Sequence, residues 1–102
     1  MIDYIVEVSV QEKLAEKWQE WMISEHIPDV MNTGLFLTYN FYTITVNRIE
    51  SKFQIRYRSN SLRNFRIYQS NFAKSLQQKH LDLFETVTKA NRRLEIVTTI
   101  EL

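Results

Sequence analysis

The sequence predicts an α+β fold, two helices lying on one face of a four-stranded antiparallel sheet in the order β-α-β-β-α-β. Three observations predict it. Apolar and polar residues alternate near both ends of the chain and through its middle, as half-buried strands require. Two intervening stretches carry their apolar residues at helical spacing instead. The chain has one glycine, Gly34, and one proline, Pro28, so short turns rather than flexible linkers must join these elements. With 102 residues, 44% of them hydrophobic and 13% aromatic, the chain suffices for a single domain over 1–102 and not for two.

Residues 2–10 read as the first strand, with Ile2, Tyr4, Val6, Val8 and Val10 on one face and Asp3, Ile5, Glu7 and Ser9 on the other. Residues 12–26 read as the first helix, through Leu14, Trp18, Trp21, Met22 and Glu25. Pro28 suits the start of a further short helical turn through Val30 and Met31, and Gly34 suits the left-handed stop after it. Residues 35–46 are β-branched and aromatic, which predicts a long second strand. A turn over 47–51 then returns the chain antiparallel along a third strand at 52–59. Phe53, Ile55 and Tyr57 face one way there, and Gln54, Arg56 and Arg58 the other. Ser59, Asn60 or Ser61 caps the second helix. Its stripe is Leu62, Phe65, Tyr68 or Gln69, Phe72, Leu76, His80, Leu83 and Phe84. Residues 93–102 close the chain as a strand, with Leu94, Ile96, Thr98, Ile100 and Leu102 on one face.

This order is the ferredoxin-like split βαβ arrangement, whose helices cover one face of the sheet. Alternation assigns to the open face Asp3, Ile5, Glu7, Phe36, Thr38, Asn40, Tyr42, Ile44, Gln54, Arg56, Arg58, Glu95, Val97 and Thr99. One strand bulge would shift that parity. On adjacent strands, Glu7 is expected to pair with Arg56 or Arg58. The apolar members, Ile5, Phe36, Tyr42, Ile44 and Val97, would form a patch larger than a monomer usually exposes, so a homodimer joined through this face is expected.

The net charge of +1 is unevenly spread. Residues 1–33 hold seven acids against Lys13 and Lys17, whereas residues 47–66 hold six bases against Glu50. Segments of opposite sign in so small a domain are expected to neighbour and offset each other, so nucleic-acid binding is not expected. Arg56 and Arg58 flank Tyr57, but alternation turns that ring to the opposite face, and no stacking platform forms. No glycine-rich phosphate loop and no Ser-His-Asp order is present. The chain has no cysteine, which excludes disulfides, thiolate catalysis and cysteine zinc sites and favours a reducing, cytoplasmic setting. The N-terminal strand lacks the basic and apolar regions of a signal peptide, and no run is long enough to span a membrane.

His26, between Glu25 and Asp29, is the leading candidate for chemistry, because imidazole titrates near neutrality and can act as acid, base or ligand. The plainer reading is a helix C-terminal histidine meeting free carbonyls. Neither histidine has a partner at metal-ligand spacing, so no metal and no cofactor are expected. His80, on the apolar stripe, reads as a satisfied core histidine. Trp18 and Trp21 can stack on an aromatic ligand or pack the core. Asn40, Tyr42, Arg56 and Arg58, with Glu7, would line a cavity for a small anionic or aromatic molecule if two sheets met, or else a plain polar interface.

Trp18-x-x-Trp21-Met22-x-x-Glu25-His26-Ile27-Pro28-Asp29-Val30, then Thr33-Gly34-x-Phe36, and Tyr68-Gln69 further on, resemble a small bacterial domain-of-unknown-function family, the one numbered 4286. Such families are similar to the dimeric α/β-barrel superfamily, which includes small monooxygenases, haem-degrading enzymes and muconolactone-type isomerases. The resemblance implies the fold and dimerisation and leaves the reaction open. Two functions compete. One is a dimeric domain binding a partner or small ligand through residues such as Trp18, Asp29, Asn40, Tyr42, Arg56 and Arg58, without catalysis. The other is a cofactor-free enzyme with His26 as base. A pocket containing His26 between the sheet and the first helix would favour the enzyme, and His26 in solvent would favour the binding domain.

Overall fold

The computed structural model describes residues 1–98. Its elements are β1 (Ile2–Gln11), α1 (Glu12–Trp21), α2 (Ile27–Met31), β2 (Thr38–Val46), β3 (Glu50–Ser59), α3 (Leu62–Tyr68), α4 (Lys74–Phe84) and β4 (Thr88–Ile96). A π-helical turn at Met22–His26 joins α1 to α2, another at Gln69–Ala73 joins α3 to α4, and a 3₁₀ turn at Glu85–Val87 precedes β4. The backbone stays helical through both π turns, so the chain folds as two helical rods on one sheet. All strand pairs are antiparallel, in the order β2-β3-β1-β4. This is the ferredoxin-like β-α-β-β-α-β fold. Among the described residues no helix is long and apolar enough to cross a membrane.

The π turns follow from where the inward side chains fall. Met22 and Ile27 are both buried, five residues apart, and so are Tyr68 and Ala73. An ordinary α-helix would rotate the fifth residue off the core face, whereas one i→i+5 turn keeps it there. The extra residue also moves the second stripe. Beyond it the buried positions are Ala73, Leu76, His80 and Phe84, while Phe72 and Leu83, which regular spacing assigns to the core, are exposed.

Local chemistry sets the ends. Ser61 caps α3 by accepting the Asn64 N–H at 3.1 Å. Gly34, at φ +76°, takes the left-handed conformation that ends α2, and its N–H donates to the Met31 carbonyl at 3.1 Å. In the β2–β3 hairpin the Asn47 side-chain oxygen accepts the N–H groups of Ile49 and Glu50, each at 2.9 Å.

The core lies between the rods and the two central strands. Trp18 is fully buried, its ring 5.0 Å from Phe53. A second aromatic group joins Tyr4, Phe36, Tyr57, Phe65 and Tyr68, with centroids 4.9 to 6.4 Å apart. Rings supply much apolar area per residue, which suits two thin layers.

Several strand expectations need correction. β2 begins at Thr38, not residue 35, and Phe36 is not on the open face. It precedes the strand and turns into the core against Tyr68, 4.9 Å between centroids. A register shift between Thr43 and Thr45 leaves Ile44 without a partner, so alternation does not fix its face, and Val46 comes opposite Ser51. β4 starts at Thr88, five residues before the sequence reading begins it, because ladder pairing with β1 extends back to Val10↔Thr88. Leu94 and Ile96 are nevertheless exposed at that outer edge. Thr99, Ile100 and Leu102 lie outside the described residues.

Candidate functional site

Arg92 lies on β4 opposite Val6, pointing to the helix side with Leu94. It joins Tyr4, Phe65, Tyr68, Gln69 and Gln77 in lining a cleft of about 190 Å³ between α3–α4 and β4. Tyr4, Tyr68, Gln77 and Arg92 also wall a smaller inner cavity of about 20 Å³, closed on its far side by His26, Met22 and Val30. The two spaces therefore share one polar partition. An inner volume of that size holds about one water molecule, whereas the outer cleft has room for a small ligand.

The helix runs on past His26, which sits inside the π turn rather than at a helix C-terminus. The extra residue of that turn brings the imidazole inward, 5.3 Å from the Trp21 ring and 6.1 Å from His80. Burial pushes His26 down to about 4, aided by His80 and Arg92 and opposed by Asp29. Burial, with Arg92, also lowers His80 to about 4. Both rings are therefore neutral at pH 7. His80 Nε2 accepts the Trp18 indole N–H at 2.9 Å, which assigns its proton to Nδ1 and makes it the satisfied core histidine expected. Burial raises the Tyr4 hydroxyl, against the pull of Arg92 and Gln77. It raises Tyr68 as well, so both phenols stay protonated as hydrogen-bonding groups. The cleft thus offers neutral donors and acceptors beside the guanidinium of Arg92, and Arg93 lines its edge as well.

The open face differs. Arg58 forms a two-armed pair with Asp3 at 2.9 and 3.2 Å. Arg56 bridges Asp3 at 3.6 Å and Glu95 at 3.1 Å. Arg93 bridges Glu95 at 3.2 Å and Glu7 at 2.5 Å, and Lys52 approaches Glu7 at 3.8 Å. Glu7 therefore pairs with Arg93 and Lys52, not with Arg56 or Arg58. Those two lie closer to Asp3, near the other end of β1. The Arg58 hydrogen bonds hold Asp3 below the usual carboxylate range, and the Arg93 bond does the same for Glu7. Arg56 and Arg93 flank Ile5 in register on either side, and Ile5 is fully buried although no helix covers this face. The expected apolar patch shrinks accordingly, to Tyr42 and its neighbours. Acids of the N-terminal segment meet bases of the central one here, as the charge distribution predicts.

The other predicted site residues do not converge. Trp18 is enclosed by Phe53, Phe41 and His80. Asp29 lies between the rods and pairs with Lys79 at 3.7 Å. Asn40 and Tyr42 are exposed on β2, opposite Arg56 and Gln54. Of these residues His26 lines the inner cavity, and Asp29 lines a separate open groove of about 280 Å³ with Trp21, Glu25 and Lys79. Sequence reasoning missed Arg92 because it began the last strand at residue 93. The available signal was Arg92 two residues before Leu94, a charged side chain at a core-facing strand position. Among the described residues no three His, Asp or Glu side chains gather as metal ligands do.

The chain belongs to the family described as a domain of unknown function, DUF4286, whose profile matches residues 1–97. No curated protein matches it. Its fold is similar to that of a dimeric ferredoxin-like protein from an uncultured marine organism, at TM-score 0.72 and 14% identity over 100% of this chain and 99% of that one. It is also similar to an antibiotic biosynthesis monooxygenase, at 0.70 and 10% over 97% and 100%. A cofactor-independent oxygenase from Streptomyces nogalater matches at 0.65 and 8% over 97% and 94%.

Proposed function

We propose that this member of the DUF4286 family is a homodimeric domain, over 1–102, that binds a small molecule in the cleft between α3–α4 and β4. The observation that carries this reading is the cleft itself, about 190 Å³ in volume and walled by Tyr4, Phe65 and Tyr68 with Gln77 and Arg92 at hand. Apolar walls with a few convergent polar groups are the usual make-up of a ligand pocket. The open-face arginines Arg56, Arg58 and Arg93 are each paired with a carboxylate, which argues for the helix side. The dimeric neighbour supports the dimer, and Tyr42, 45% exposed on the open face, is a fitting contact within it. The absence of cysteine suits a reducing, cytoplasmic setting.

A second reading, cofactor-free catalysis, is favoured by His26 standing behind the partition. A neutral imidazole can accept a proton there only through a water in the inner cavity, because that space has no room for a ligand atom beside it. The likeness in fold to oxygenases supports the reading without naming a reaction.

Titration of the labelled chain with single-ring compounds, followed by NMR, tests the binding site. Shifts are expected at Tyr68, Gln77 and Arg92 and not at Asn40, Tyr42 or Arg58; the reverse pattern overturns the proposal. Light scattering is expected to give twice the 12.3 kDa chain mass, and Tyr42→Glu is expected to reduce it. A wild-type mass near one chain overturns the dimer.

A further inference from the structure

The sheet carries four arginines, and they fall into two kinds. Arg56, Arg58 and Arg93 each lie within 3.2 Å of a carboxylate oxygen. Arg92 has no carboxylate partner among the described residues, although it is adjacent in sequence to Arg93. Strand alternation separates them. Arg93 faces the acids of the open side, and Arg92 faces the rods, where Tyr4, Tyr68 and Gln77 are its neighbours in the cleft wall. The remaining polar groups around it are neutral, since His26, His80 and the two phenols are uncharged at pH 7. Asp29, the acid acting on His26, is already paired with Lys79. The Arg92 side chain is exposed to solvent beside these aromatic walls, so its guanidinium is available to a ligand, and its planar fork matches a carboxylate in two-point contact.

Size limits the ligand as well. An enclosed apolar cavity of about 150 Å³ accepts benzene, so a cleft of about 190 Å³ has room for a single ring with a short acidic group.

Resting on the binding reading above, we propose that the cleft selects a small planar monocarboxylate, its ring on Tyr4, Phe65 and Tyr68 and its carboxylate on Arg92, with Gln77 as a second donor. Selection is for charge as well as shape, so an amide of identical outline is bound less well.

The experiment is a calorimetric or NMR titration of the full chain with benzoate, benzamide and inorganic phosphate. Benzoate is expected to bind about tenfold or more tightly than benzamide, as a charge-assisted pair over a neutral contact implies, and phosphate, lacking a ring, more weakly than benzoate. Arg92→Gln is expected to remove the preference, so that benzoate and benzamide bind alike. Arg92→Lys is expected to keep part of it, and Arg58→Gln, on the open face away from the cleft, to leave it intact. Equal binding of benzoate and benzamide by the wild-type chain overturns the charge selection and leaves the cleft standing as a neutral pocket. Phosphate binding as tightly as benzoate overturns the ring requirement. Failure of both aromatic probes to shift cleft resonances overturns this proposal together with the binding reading. The wild-type comparison decides the question even if Arg92→Gln does not fold.

Discussion

The two faces of the sheet use the same residue types to opposite ends. On the open face arginine and acid alternate across three strands, and each of the three arginines is matched at close range, so the layer works as a lid over Ile5. On the helix side one arginine stands among rings and neutral imidazoles, with no acid to match it among the described residues. A cation near an acid is structure; a cation of the same strand, one residue away and turned through the sheet, is a candidate for recognition. Matching, rather than the number of charges, separates the two.

The largest effect is expected on the helix side. Trp18→Ala removes a fully buried ring and the partner of His80 Nε2, and should cost about 3–5 kcal/mol in denaturant unfolding. Ile5→Ala on the open face should cost about 2–4 kcal/mol, because Ile5 is as completely buried as Trp18. If Ile5→Ala is nearly neutral, the arginine layer is not a packed lid and the comparison fails on that side.

Acid separates the faces by pH. His26 and His80 have folded values near 4, below the ordinary 6.5. The unfolded chain therefore binds the extra protons, and stability falls as pH drops from about 6.5 to about 4, by at most about 1.4 kcal/mol per pH unit for each histidine. Below about 4 these groups add no further loss. Asp3 and Glu7, whose folded values lie below their ordinary 3.8 and 4.5, contribute stability above those values and lose it as pH falls further. Unfolding midpoints against pH should therefore show two successive declines. His26→Gln should reduce the upper one to the His80 share and leave the lower; a single decline in the wild type below pH 4 would remove the histidines from the account.

The smallest effects concern exposed charges. Lys52→Ala should change stability by less than about 0.5 kcal/mol, since its bridge to Glu7 is long and half exposed. The chain should also fail to bind a short RNA with submicromolar affinity at about 150 mM salt, because Arg56 and Arg58 are already matched by protein acids and are poorly placed to neutralise phosphates and release their counterions. Tight binding that falls steeply with added salt would show that the open-face arginines are available after all.

Much of the fold was legible in the sequence because its signals are local. Alternation over 2–10 and 52–59, helical spacing around Trp18 and Phe65, a cap among Ser59, Asn60 and Ser61, and the stop at Gly34 each depend on neighbours a few residues away. The faces of β1 and β3 follow from alternation alone, and with them the open-face placement of Asp3, Glu7, Arg56 and Arg58. His26 stood out by its motif. The site around it was not legible. Two π turns move the helix phase by one residue each, and nothing in an apolar spacing announces them until the core is known. One bulge at Ile44 and an earlier start for β4 depend on pairing with distant strands, and the second of these hid Arg92.

What the sequence by itself determined is therefore the order and type of the elements, the two central strand faces and the absence of cysteine chemistry. Tertiary structure alone decided which arginines are neutralised, that His26 and His80 meet, and that a cleft opens beside Tyr68. The physical reason is range. Periodicity and capping act within one element, whereas charge matching, burial and cavity shape depend on side chains that are 39 to 86 residues apart in sequence, as in the Arg56–Glu95 and Arg93–Glu7 pairs.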